Sequence, residues 1–158
     1  MHARAKFAAV ILGAALSLAG CALTANITTS LDYSASDGAA VVVGDVRAQN
    51  LLLVTAGEGE PAALTGTLYN DGDAPVSITV TVGSTADTYA IEPMDSVQVG
   101  PGVGAEAFIT TAPFAPGLLA SATLTVENSA AGTTPVPIVD GTLPEYQTVL
   151  DALDAFES

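Results

Sequence analysis

Beyond residue 38 the chain is a succession of short segments in which apolar and polar residues alternate with a period of two. Val76–Val82 is the cleanest, with Val76, Ile78, Val80 and Val82 on one side and Ser77, Thr79 and Thr81 on the other. Such alternation predicts a strand with one face on a core and one in solvent. Ala62–Tyr69 repeats it, Leu64, Gly66 and Leu68 opposing Thr65, Thr67 and Tyr69, and Ser121–Val126 places Ala122, Leu124 and Val126 inward. Ala39–Val43, Thr88–Ile91, Ser96–Val99 and Glu106–Thr110 are shorter β-type runs. Within Val46–Thr55 the alternation fails at Leu51-Leu52-Leu53-Val54, which predicts a strand buried on both faces or one broken by a bulge.

Turn residues separate these runs. Gly44-Asp45 reads as a turn or bulge, Gly57–Pro61 as a loop, and Asn70-Asp71-Gly72-Asp73 as a hairpin turn. Val136–Val139 closes the series, and Pro135 and Pro137 place it at a sheet edge because proline donates no ladder hydrogen bond. Eight or nine short strands with turn signals every 8–14 residues predict an all-β fold, an antiparallel immunoglobulin-like β-sandwich, with a closed barrel as the alternative. Only Glu145–Phe156 changes period: Tyr146, Val149, Leu150, Leu153 and Phe156 share one helical face, predicting a short C-terminal helix.

The N-terminus follows a different pattern. Arg4 and Lys6 precede an apolar run, Phe7–Leu18, interrupted only by Ser17 and too short for a bilayer core, which needs about 20 apolar residues. Leu18-Ala19-Gly20-Cys21 follows, a leucine, two small residues and a cysteine, and it resembles the lipobox of bacterial lipoproteins. That resemblance implies cleavage before Cys21 and acyl chains (palmitate among them) on its sulfur and new N-terminus. The expected organisation is a signal peptide at 1–20, the lipidated Cys21 with a tether to 38, a sandwich over 39–143 and a C-terminal segment over 144–158. The 17 residues from Ala22 to Gly38, as a flexible coil, span about 20–25 Å.

Processing at Cys21 reshapes the chemistry. The remaining 138 of 158 residues hold all 17 carboxylates and one base, Arg47, for a formal charge of −16. No His, Lys or Trp remains, and Met94 is the one methionine. Histidine-based triads, Ser-Lys hydrolase sites and Cys/His zinc sites lack their residues, so no enzyme is expected, and no cofactor beyond the covalent lipid. Nucleic acid is excluded by the shortage of cations, and membrane contact is expected through the lipid alone. The expected location is the extracytoplasmic face of the cell membrane, with an envelope protein as partner. The acidic loops leave a calcium reading open: a simple meander gathers Asp71 and Asp73 with Glu92 and Asp95, and Glu58 and Glu60 at the opposite end. Counted from Asp71, an EF-hand fails, with Val76 at the glycine position and Val82 at the bidentate glutamate.

Two family resemblances span the mature region. Tyr33–Gly38, Gly44–Asn50 and above all Pro137-Ile138-Val139-Asp140-Gly141-Thr142-Leu143-Pro144-Glu145-Tyr146 resemble a group of small actinobacterial lipoproteins. In that group a Pro-Val-x-Asp-Gly-Thr-Leu-Pro-x-Tyr ending recurs. Gly66–Asp73, with Leu118–Val126 and Gly132–Pro137, is similar to the secreted copper chaperones that supply cytochrome oxidase. This second resemblance implies a β-sandwich. It does not supply copper ligands, since that family uses His and Met and only Met94 is available here.

Overall fold

A computed structural model describes residues 36–101, 107–127 and 131–157. They form β1 (Ala39–Val43), β2 (Val46–Thr55), β3 (Pro61–Asn70), β4 (Val76–Val82), β5 (Thr85–Ile91), β6 (Ser96–Val99), β7 (Phe108–Thr111), β8 (Leu119–Val126), β9 (Ala131–Val139) and one helix, α1 (Pro144–Glu157). One layer has the order β5-β4-β8-β9, and the other is β2 and β3 extended by β1, β6 and β7. The fold is the expected all-β sandwich, and its edges come close to barrel closure. On one side β9 pairs in parallel with β2 at Leu53↔Ile138 and Val54↔Val139. On the other, the hydroxyls of Thr85 (β5) and Thr110 (β7) share a hydrogen bond of 2.8 Å.

Between the layers lies one apolar core, with Leu51, Leu53, Leu64 and Leu68 meeting Ile78, Val80, Leu124 and Val136, and with Phe108 and Tyr89 as its largest side chains. The outer faces of the two layers differ. Beyond β4, β5, β8 and β9 the surface is polar, and threonines pair across strands, Thr79 with Thr88 at 2.8 Å and Thr123 with Thr133 at 3.1 Å. Beyond β2 and β3 it is apolar only beneath α1: Leu52, Val54 and Ala63 are buried although they alternate with the core positions, because α1 packs over these strands and buries Leu153. Leu51–Val54 is therefore buried on both faces, as its sequence predicts.

The same strand also carries a bulge. Gln49 pairs with Thr67 and Leu52 with Thr65, so Asn50 and Leu51 together oppose Gly66. Asn50 takes a left-handed φ of 54°. Gly66 has a φ of 152°, and a Cβ there would stand 2.9 Å from the Gln49 carbonyl oxygen and 2.8 Å from Leu51 Cδ2. Only glycine fits. The bulge aims the Asn50 side chain outward, where its Oδ1 accepts the Gly38 amide at 3.2 Å and pins the end of the expected tether to the sheet.

Two expectations need correction. Asn70–Asp73 is not a hairpin, since β3 pairs with β2, β6 and β7 while β4 pairs with β5 and β8. The segment is an arch that carries the chain from one layer to the other. The two-residue hairpins lie instead at Gly44-Asp45, between paired Val43 and Val46, and at Gly83-Ser84, between paired Val82 and Thr85. In both the first loop residue is a glycine with φ 59°.

Nor is the last strand at an edge. It begins at Ala131 and lies between β8 and β2. The prolines are tolerated because the Ile138 amide donates to the Leu118 carbonyl at 2.9 Å. Even-numbered amides of β9 thus point at β8, and Pro135 and Pro137 point the other way, before pairing with β2 begins at Ile138. Among the described residues no helix is long and apolar enough to cross a membrane.

Candidate functional site

Strand polarity gives the sandwich two distinct ends. At one end lie the β1–β2 turn, the β3–β4 arch, the β5–β6 loop and the close of β8, bringing Asp45, Asp71, Asp73, Glu92, Asp95 and Glu127 to one rim. Asn70 organises it. This side chain is 2 % exposed, and its amide nitrogen donates to the carbonyls of Ala74 (2.8 Å), Ile91 (3.1 Å) and Glu92 (3.1 Å), while Oδ1 accepts the Gly72 amide at 3.0 Å. The backbone adds Asn70 to Asp95 and Asp71 to Asp45, both at 2.9 Å, and Met94 to Gly72 at 3.3 Å. A buried amide with its donors and acceptor satisfied is a rigid bracket between loops.

The predicted gathering of the 70–75 and 92–95 loops thus occurs. Its carboxylates are differently engaged. Asp71 accepts from Arg47 through both oxygens, Nε at 2.9 Å and Nη2 at 3.2 Å, and the guanidinium also lies 4.4 Å from the centre of the Tyr69 ring. That hydrogen bond raises the Arg47 pKa further above its ordinary value, so Arg47 stays charged. Asp95 Oδ1 accepts the Ser96 amide at 2.7 Å. Asp71, Asp73, Glu92 and Asp95 are all exposed. Among the described residues no group of three or more His, Cys, Asp or Glu side chains is placed to hold a metal ion. Met94 projects from this rim, 76 % exposed and with a left-handed φ of 56°.

At the opposite end lie the close of β2, β3's start, the β7–β8 connection and the β9–α1 turn. Here Phe114, Leu118, Leu119 and Leu143 are exposed, four of the seven large apolar side chains that are so among the described residues. A cavity of about 370 Å³ opens between Pro116-Gly117, Ile138-Val139 and Leu143 with Tyr146. Its polar groups are few. Asp140 Oδ1 accepts the Thr142 amide at 3.0 Å, and the hydrogen bonds from Thr142 hold its carboxyl below the usual range. Burial, then the charge of Asp37, pushes the Tyr146 phenol up, and its hydroxyl donates to Asp37 Oδ2 at 3.3 Å.

Leu18, Ala19, Gly20 and Cys21 lie outside the described residues. Sequence reasoning missed the stacking of Arg47 on Tyr69, although a lone base two strand positions from an aspartate partner becomes visible once Arg47 is paired with Tyr69 across the ladder. It missed Asn70 as a bracket because Asn-Asp-Gly carries an equally good local turn signal.

No protein-family model matches the chain, and no curated protein matches it in sequence. Among solved structures it is similar to one titled "Apo PCuAC domain from PmoF1", with a TM-score of 0.52 and 19 % identity over 65 % of this chain and 99 % of that one. A second, titled "Copper-bound PCuAC domain from PmoF2", gives a TM-score of 0.48 and 18 % identity over 65 % of this chain and 98 % of the other. At such identities the likeness is one of architecture, and it agrees with the sandwich implied by the copper-chaperone resemblance. The chain therefore carries an all-β sandwich of the kind found in a PCuAC domain.

Proposed function

We infer that this chain is a lipoprotein, anchored through Cys21 on the extracytoplasmic face of the membrane, whose sandwich serves as a non-catalytic interaction or assembly module of the cell envelope. The observation that carries this reading is the placement of Leu18-Ala19-Gly20-Cys21 directly after a charged and then apolar leader. The likeness of 137–146 to the closing segment of small actinobacterial lipoproteins supports it. A mature chain without His or Lys supports the non-catalytic part, because histidine-based triads, Ser-Lys hydrolase sites and Schiff-base chemistry lack their residues. Two or more acyl chains, at about 0.8 kcal/mol per buried methylene, suffice for stable anchoring. Fractionation tests this: the full chain is recovered with membranes, and Cys21→Ser is recovered in the soluble fraction. Retention of Cys21→Ser on membranes overturns the anchor. Affinity capture of the lipidated protein then tests the module, with one reproducible envelope partner as the supporting result.

A second reading, a ligand or metal chaperone related to the copper carriers, is favoured by the fold likeness to the PCuAC domain from PmoF1 and by the exposed thioether of Met94. One thioether among exposed carboxylates is a weak donor set for a soft metal. Titration with Cu(I) separates the readings: tight binding lost in Met94→Leu establishes the chaperone.

A further inference from the structure

We propose that the outer face of the β5-β4-β8-β9 layer is a self-docking surface, on which a second copy of this chain packs face to face about a two-fold axis passing between β4 and β8. The proposal rests on the interaction-module reading and names that module's partner.

Three observations point to a second copy. First, the face carries no charge. The side chains of these strands that alternate with the core positions are Ser, Thr, Ala and Pro, with Leu119 and Val139 at one end. One row across the four strands reads Thr88-Thr79-Thr125-Ala131. The nearest carboxylates lie off the face: Asp87 alternates with its outward neighbours Ala86 and Thr88, and Glu127 follows the end of β8. Other surfaces of the sandwich are charged. Arg47 and Asp71 pair on the opposite layer, and Glu58 and Glu60, like Asp151 and Asp154 of α1, are exposed. Two copies of an acidic chain meet with least repulsion through the face that has no carboxylate.

Second, the face complements itself. A hydroxyl both donates and accepts, so rows of threonine can meet identical rows, as a two-fold axis requires, without an opposite charge. Thr79 with Thr88, and Thr123 with Thr133, already bond within the sheet at 2.8 Å and 3.1 Å, so one hydroxyl of each pair keeps its bond when water leaves. The threonine γ-methyls, with Ala86, Ala90 and Ala131, supply apolar contact. Third, the area fits a weak dimer. Four strands about 4.8 Å apart, and the seven residues of β4 at about 3.4 Å each, give a footprint of about 450 Å² per copy. Both copies together bury about 900 Å², below the roughly 1,200 Å² at which stable interfaces begin. Association of that size is transient in solution and is strengthened where both copies sit on one membrane.

The test uses the full lipidated chain in phosphatidylcholine vesicles, with one thiol introduced beside the axis, Thr125→Cys, or on the exposed outer face of the other layer, Gln49→Cys. Acylation blocks the native Cys21, so a short bismaleimide joins only introduced thiols. Thr125→Cys should yield about five times the covalent dimer that Gln49→Cys does, from the higher local concentration of docked thiols. More salt should raise that yield, since screening weakens the repulsion between two acidic chains. Adding Thr81→Asp, which sets a carboxylate at the centre of each face, should cut the yield about fivefold, while Thr81→Val should not. The salt dependence is read without a second substitution, so it decides the matter even where Thr81→Asp fails to fold. Equal yields at the two positions, or a yield that falls with salt, overturns docking through this face. Capture of a different envelope protein by a chain that gives no Thr125→Cys dimer overturns the second copy as partner and leaves the module reading standing. Capture of no protein, with no dimer, overturns both.

Discussion

The two ends of the sandwich are built from the same strands and held together by different balances of polar bonds and packing. At the acidic rim, order comes from polar bonds: one buried asparagine joins the arch to the β5–β6 loop, and Arg47 clamps Asp71 against β2. At the apolar end packing is added to such bonds: the buried Thr55 hydroxyl bonds within the β2–β3 loop, α1 packs over β2 and β3 and buries Leu153, and the connecting loops leave leucines in solvent. Where hydrogen bonds hold the loops, the surface can be acidic and hydrophilic. Where packing by α1 is added, apolar surface is left over.

The comparison breaks most sharply at Asn70. Asn70→Leu removes a group that serves three carbonyls and one amide and leaves them buried, at about 1–3 kcal/mol for an unsatisfied group. Urea unfolding should show a lower midpoint, and amide exchange should speed up in both loops of the acidic rim. Leu153→Ala tests the other end. A loss of about 2–3 kcal/mol is expected, at the lower part of the range for buried leucines because the site faces only one layer. The protection lost should be that of α1 and of β2 beyond the bulge, with the acidic rim unaffected.

Smaller effects sharpen the contrast. Met94→Gly relieves a left-handed backbone that a side chain disfavours, and a gain of about 1 kcal/mol is expected in the same unfolding measurement. Arg47→Ala should lower the melting temperature slightly at low salt and not at all in 1 M salt, since the ion pair is exposed and screened. At the apolar end, acid should act through Asp140. Its folded pKa lies below the ordinary carboxylate value of 3.8, so its contribution is complete above that pH and is lost as pH falls through the folded value. Asp140→Asn should flatten that part of the stability profile; an unchanged slope below pH 4 would show that the bond to Thr142 is not a source of acid sensitivity.

Much of the fold was legible because strand alternation reports burial directly. Val76–Val82, with one face on the core, reads correctly residue by residue, and the doubled burial of Leu51–Val54 was visible as a break in that alternation. The helix was visible as a change of period. Asn70–Asp73 misled because turn chemistry reports local backbone geometry and is silent on whether the flanking strands pair. Pro135 and Pro137 misled because a missing amide matters only on the side where a partner strand needs it.

The sequence alone determined the class of the fold, the acidic character of the chain and the poverty of its catalytic residues, all properties of local pattern or composition. Tertiary structure alone decided that the strands bring six carboxylates from four separate segments to one rim and gather the exposed leucines at the other end. That sorting depends on register and strand direction, which are set by the core as a whole: the bulge opposite Gly66, the parallel pairing of β9 with β2, and the arch at Asn70. None of these is a property of any one segment, and each follows from what its neighbours leave to be buried or bonded.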